Sequence, residues 1–266
     1  MAKSRLVTLL TDFGTRDPYV AAMKGAILRV CPAAQIVDIS HDVPAQDVLA
    51  GAFVLAQATP FFPPETLHVV VVDPGVGTSR SILAARLDGQ LFLFPDNGII
   101  TFVAQALPME AIVAVRNIKA LRPGPESMTF HGRDIFAPVA GRILNGMSIA
   151  DLGPQPGTYK LLDLPAPVEQ VDWIIGQVIY VDHFGNLISN IPQELIVGRR
   201  EDMQQAVVMC SGRDVGTLRQ TYDDVAEGEA AALFNSMKLL EIAVNCGRAC
   251  DVFGADVGTE ICLEKR

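Results

Sequence analysis

Two aspartates follow short apolar runs that read as buried strands: Asp12 after Leu6–Leu10, and Asp73 after Leu67–Val72. In an open α/β sheet, ligands bind beyond the carboxyl ends of parallel strands, so both carboxylates are placed to meet one. Asp73 opens the run Asp73-Pro74-Gly75-Val76-Gly77-Thr78-Ser79-Arg80, whose glycines permit close backbone approach and whose Arg80 can return a cation towards Asp73. The same run also reads as a plain strand-end turn with a surface arginine. His131, in Thr129-Phe130-His131-Gly132-Arg133-Asp134, precedes a helical stretch bearing Ile135, Val139 and Ile143. It would sit at a helix N-terminus as a proton-transfer or hydrogen-bonding group, or as a structural histidine. His41, His68 and His183 read as structural. Asp182-His183-Phe184-Gly185-Asn186 joins two apolar strands. Its carboxylate, aromatic ring and amide could stack on and hydrogen-bond a purine nucleoside, or could simply supply turn geometry. Asn235-Ser236 and Asp17 read alone as a turn and a helix cap.

The elements that must position these residues fall into two parts. Asp17-Pro18 suggests an N-cap followed by proline at the first helical position, with Val20, Met23, Ile27 and Val30 at helical spacing and Pro32 beyond. Ile36–Ile39 is a second strand, and Asp47 to Ala58 is a second helix, stopped by Pro60. Leu67–Val72 is apolar and rich in β-branched residues, as a parallel strand covered on both faces should be. Asp88-Gly89 reads as a hairpin turn. This alternation predicts an α/β domain with a mainly parallel sheet over 1–165. Pro154, Pro156, Pro165 and Pro167 punctuate a linker-like stretch. Strand-like runs then follow at Trp173–Val181, Leu187–Ile191, Ala206–Cys210, Ala230–Phe234, Leu239–Val244 and Glu260–Leu263. They predict a smaller, mostly β domain over 170–266.

With 266 residues, half of them hydrophobic, the chain can bury a substantial core and is not wholly disordered. A net charge of −9 argues against a general nucleic-acid binder. No apolar run reaches the roughly 18–20 residues of a membrane helix. The opening apolar stretch breaks at Asp12 without a small-residue cleavage site, and a cytoplasmic protein is expected. The five cysteines do not form a secretory disulfide framework or a zinc-ligand spacing, so ordinary thiols and no metal are expected. The Gly-Lys-Ser/Thr ending of a phosphate loop and a convincing Gly-x-Gly-x-x-Gly are both lacking, which disfavours a Rossmann-type dehydrogenase.

Taken in order, six segments resemble the S-adenosylmethionine (SAM) hydrolase family, the SAM hydroxide adenosyltransferases of the fluorinase and chlorinase superfamily. They are Thr11-Asp12-Phe13-Gly14 with Asp17-Pro18-Tyr19; Val72 to Arg80; Phe94-Pro95-Asp96-Asn97-Gly98; Thr129 to Asp134; Asp182 to Asn186; and Asn235-Ser236 with Leu240 to Asn245. The resemblance implies an N-terminal α/β domain, a smaller C-terminal β-barrel-like domain, and a homotrimer with sites between neighbouring subunits. It implies hydrolysis of SAM to adenosine and L-methionine by attack of water on C5′, with SAM as substrate and no cofactor. The family's Asp–Arg–His set maps onto Asp73, Arg80 and His131. Asp12 resembles the residue that accepts the ribose hydroxyls. Asp17, Asp182 and Ser236 match positions at the methionine end. Phe184, Asn186 and Tyr222 match positions around the adenine, and Phe130 and Asn245 fall within matched motifs. Asp73 and Gly132 stand where halogenating relatives carry a Tyr and a Ser, which disfavours halide-dependent transfer. Met237 stands where halogenases carry an Arg. A non-catalytic module that binds adenosine or SAM is the alternative from a different class.

Overall fold

The computed structural model describes residues 5–116, 127–196 and 206–265. The chain divides into two compact units, Met1–Leu162 and Asp163–Arg266.

The first unit is built on a six-stranded sheet. Its strands are β1 (Leu6–Thr11), β2 (Gln35–Ser40), β3 (Leu67–Val71), β4 (Ile82–Leu87), β5 (Gln90–Pro95) and β6 (Met109–Ala114), in the order β2-β1-β3-β5-β4-β6. Neighbours from β2 to β5 run parallel, whereas β4 pairs antiparallel with both β5 and β6. The departure from parallel pairing begins at Asp88-Gly89, where left-handed φ values of 44° and 73° close the β4–β5 hairpin. Strands β3 and β5 are wholly buried and mostly apolar, and their two polar residues, His68 and Gln90, are bonded to each other at 3.1 Å. Helix α1 (Tyr19–Val30) packs Met23 and Ile27 into a core with Val7, Leu9, Val69 and Val71. Helix α4 (Ala137–Leu144) closes the same core with Val139 and Ile143. Helix α2 (Val48–Ala58) is capped by Asp47, whose side chain accepts from the Ala50 N–H at 2.9 Å. A short helix α3 (Thr101–Ala106) lies beside it, with the Phe53 and Phe102 rings 6.0 Å apart.

Two local readings need correction. Asp17 does not cap α1: the N-cap position is Pro18, and no side chain caps the helix. The proline-rich stretch is not a free linker over its first part. Pro154 O accepts from Ala114 N, Lys160 N donates to Asp96 Oδ1 at 2.8 Å, and Leu162 N donates to Thr101 Oγ1 at 2.7 Å. One backbone bond and two side chains thus satisfy an extended backbone.

The second unit is an antiparallel sheet of β8 (Trp173–Val181), β9 (Leu187–Pro192), β10 (Val207–Cys210), β11 (Arg213–Thr217), β12 (Ala230–Phe234), β13 (Leu239–Val244) and β14 (Glu260–Glu264), with the two-residue β7 (Val168–Glu169) on β8. The order β11-β10-β14-β8-β9-β13-β12 nearly closes into a barrel. Leu218 bridges Ala232, and Arg219 N donates to Ala232 O at 2.7 Å, which draws the two end strands together. Alternating residues such as Ile174, Val178, Val208, Ile242 and Leu263 fill the interior. A five-residue helix, α5 (Ala249–Phe253), buries Ala249 and Phe253 against it.

Candidate active site

Beyond β3 the chain makes two tight turns, with Val76 N bonded to Asp73 O and both Thr78 N and Thr78 Oγ1 bonded to Gly75 O. Gly77 is needed here. Its φ is 78°, and a Cβ on it would lie 2.7 Å from the Met128 carbonyl oxygen. The turns bring Arg80 back onto Asp73. Nε donates to both carboxylate oxygens at 2.9 Å, and Nη2 makes a further short contact to Oδ2. Both side chains are almost fully buried, at 7% and 4% exposure. The same Nη2 lies 3.0 Å from His131 Nδ1. Because a guanidinium can only donate, Nδ1 is the acceptor and the neutral ring carries its proton on Nε2. The Asp73, Arg80 and His131 side chains thus form one connected cluster.

His131 enters a π-helical turn, Gly132–Phe136, that leads directly into α4. Such turns widen a helix locally and frequently accompany functional sites. A cavity of about 340 Å³ is lined by Asp12, Asp73, Phe130, His131 and Gly132, together with Phe13, Tyr19, Gln46 and Val76. Three of its wall residues form an aromatic group, with Phe13–Tyr19, Phe13–Phe130 and Tyr19–Phe130 ring centroids 6.2, 5.7 and 5.2 Å apart, all edge-on. A Cβ at position 132 would come within 3.1 Å of the Phe13 ring, so this wall is tightly packed against a glycine. Asp12 Oδ2 accepts the Gln46 N–H at 2.8 Å. Asp17 is exposed and is not among the residues lining this cavity.

In the second unit, Asp182 folds over its own turn. Its two oxygens accept from Asn186 N at 2.8 Å and Asn186 Nδ2 at 3.0 Å. Phe184, at the tip, is 70% exposed. Tyr222 is part-exposed and donates its hydroxyl to Glu241 Oε1 at 2.8 Å. Ser236 lies exposed in a turn whose Met237 and Leu239 N–H groups are held by Asn235 Oδ1. Asn245 Nδ2 donates to Val225 O at 2.9 Å, bracing the segment after Tyr222.

Glu241 is a functional candidate that the motif reading does not single out. It is only 3% exposed within β13. Burial raises its pKa, assisted by the Asp182 charge and opposed by hydrogen bonds from Tyr222 and Asn235. The signal that could have found it is a carboxylate in the middle of the apolar strand Leu239–Val244. Burial first, then the Glu241 bond and the Glu241 and Asp182 charges, raises the Tyr222 phenol as well. Among the described residues, neither Asp182 nor Glu241 has a cationic side chain at ion-pair distance. No group of three or more His, Cys, Asp or Glu among the described residues could hold a metal ion.

A two-unit enzyme with an Asp–Arg–His cluster beside a cavity at the carboxyl end of a parallel strand is the class that fold and site define. Residues 7–153 match the SAM hydroxide adenosyltransferase N-terminal domain, and residues 176–262 match the C-terminal domain of the same family. The chain belongs to the SAM hydroxide adenosyltransferase family. It is 37% identical over 272 residues to the (R)-S-adenosyl-L-methionine hydrolase of Salinispora arenicola, with 98% of each chain covered. The protein of the same name from Salinispora tropica is 39% identical, with the same coverage. A solved structure of an uncharacterized conserved protein from Thermotoga maritima superposes with a TM-score of 0.90 at 37% identity, covering 97% of this chain and 100% of that one.

Proposed function

We propose that the protein hydrolyses SAM to adenosine and L-methionine by in-line attack of water on C5′. The observation that carries the mechanism is the buried Asp73–Arg80–His131 cluster at the wall of the cavity. The oxygen of water bonds to C5′ as the C5′–S bond breaks, and the bonding pair leaves on sulfur as the neutral thioether of methionine. A neutral leaving group needs neither a general acid nor a Lewis acid, so no cofactor is required. The step instead needs a better nucleophile. Water has a pKa of about 15.7 and a model aspartate about 3.9, so Asp73 cannot form free hydroxide beforehand. It accepts the proton as the O–C5′ bond forms, a contribution of about 10²–10⁴-fold. Arg80 fixes the carboxylate and balances its charge, and His131 completes the hydrogen bonding of the water. In-line placement of that water contributes more, about 7–11 kcal/mol at best.

Asp12 accepts the ribose hydroxyls, since an ionised carboxylate offers two acceptor oxygens. Phe130 and its aromatic neighbours form an apolar wall. Phe184, Asn186 and Tyr222 contact the adenine, with Asn245 bracing the segment behind Tyr222. Asp17, Asp182 and Ser236 serve the methionine end, where Glu241 adds a second carboxylate suited to the ammonium. The working assembly is a cytoplasmic homotrimer. Free thiols at Cys31, Cys210, Cys246, Cys250 and Cys262 fit a reducing compartment, and light scattering tests the trimer.

The test of function is incubation of purified, chelator-treated protein with SAM, with and without chloride. Adenosine and methionine are expected in equal amounts, indifferent to chloride and chelator and abolished in D73A. Tight binding without product would favour the sensing module. A chlorinated nucleoside would favour halide transfer, against which Gly132 offers no hydroxyl.

A further inference from the structure

The turn that carries Asp12 is held from beneath by a second segment, His41 to Gln46. Gly14 N donates to His41 O at 2.7 Å, and Gln46, in left-handed backbone at φ 66°, points its N–H at Asp12 Oδ2. The third tie is made of side chains. Thr11 is wholly buried and His41 is 5% exposed, and Thr11 Oγ1 lies 2.8 Å from His41 Nδ1. On its other side His41 Nε2 lies 3.1 Å from Asp38 Oδ1, while Asp38 Oδ2 accepts from Lys24 Nζ at 2.5 Å. Nε2 makes no hydrogen bond of full geometry there, and the nearby carboxylate orients the ring by its charge.

A carboxylate beside Nε2 draws the ring proton to that nitrogen, which leaves Nδ1 to accept the Thr11 hydroxyl. Thr11 Oγ1 then has its lone pairs turned to the Phe13 N–H, 3.3 Å away. We propose that His41 is a positioning residue for Asp12, acting through Thr11, with the Asp38–Lys24 pair on the surface fixing which way its hydrogen bond runs. A carboxylate that must meet two adjacent hydroxyls tolerates little rotation of its own turn. The proposal rests on the ribose role given to Asp12 above.

The molecule contains its own control. Thr8 Oγ1 and His68 Nδ1 form a similar pair at 2.7 Å, but His68 leads to Gln90 and, through it, to the Thr59 and Phe62 carbonyls. Thr8 and His68 neither line the cavity nor adjoin a residue that does, whereas Thr11 adjoins Asp12.

The experiment compares binding of adenosine and 2′,3′-dideoxyadenosine by calorimetry on the full chain, for wild type and for D12N, T11V, T11S, H41F and T8V. The preference for adenosine should nearly vanish in D12N and fall about tenfold in T11V and H41F. T11S should restore it, and T8V should leave it unchanged. If D12N loses the preference while T11V keeps it, the role of His41 is refuted and the ribose role of Asp12 stands. If D12N keeps the preference, the ribose role fails and the inference falls with it. Loss of the preference in T8V as well would reduce the effect to general destabilisation and overturn the proposal.

Discussion

The carboxylates of the two units live in opposite electrostatic circumstances. Asp73 already has its cation: Arg80 is bonded to both of its oxygens in a nearly dry setting. Asp182 and Glu241 have hydrogen bonds from Asn186, Tyr222 and Asn235 but no cationic side chain among the described residues. A charge that is already paired is held still and can serve a neutral partner such as water. Carboxylates without a cation, the buried Glu241 above all, favour any cation that arrives, and the ammonium of an amino acid is such a group. The contrast fits the proposed roles, a paired carboxylate beside the reacting water in the first unit and unpaired carboxylates for the ammonium in the second.

The sharpest way to break this contrast is D73N. The amide retains the shape but loses the acceptor for the proton and sets a donor against Arg80. We expect kcat to fall by about 10²–10⁴-fold with SAM affinity changed far less, read by product formation and calorimetry on the same preparation. Next in size is E241Q, which should weaken SAM binding about tenfold while leaving adenosine binding unaltered, because only SAM brings the ammonium. F184A should do the reverse in character, lowering adenosine and SAM affinity together by several-fold, about the worth of one base–aromatic stack.

Two smaller effects concern stability. Burial, opposed by the Gln90 hydrogen bond, brings His68 down to about 4. The unfolded imidazole titrates at about 6.5, so the unfolded chain takes up the proton first on acidification. The contribution is fully present above the unfolded value and is lost as pH falls towards the folded one. Unfolding followed from pH 7 to 4 should show that decline, and H68Q should flatten it. Glu241 has the opposite sign for a carboxylate. With its folded pKa raised, its stabilising contribution is full at acid pH and lost as pH rises through the folded value. In the absence of ligand, E241Q should therefore melt a few degrees higher than wild type at neutral pH.

Much of this arrangement was legible in the residues. Apolar runs located β1, β3 and β8 almost to the residue, because strands buried on both faces or alternating against a core leave an unambiguous pattern. Strand β11 escaped notice because Arg213, Asp214 and Gly216 give it neither alternation nor β-propensity, and it is held by pairing with β10. The antiparallel end of the first sheet follows from the β4–β5 hairpin, whose turn was visible although its effect on the sheet was not. Within the site, Asp73, Arg80 and His131 stood out by type and motif. Their bonding did not, since fifty-one residues separate Arg80 from His131 and the contact exists only after folding. The Thr11–His41 support was hidden for the same reason: each residue alone reads as ordinary core.

The central claim is that water, held by the Asp73 cluster, attacks C5′. Turnover of SAM in ¹⁸O-labelled water, with products separated and weighed by mass spectrometry, addresses it directly. The account predicts one heavy oxygen on the 5′-hydroxyl of adenosine and none in methionine, with the labelled product formed about 10²–10⁴-fold more slowly by D73N. Unlabelled adenosine, or cleavage on the amino-acid side of sulfur to give 5′-methylthioadenosine, would contradict it.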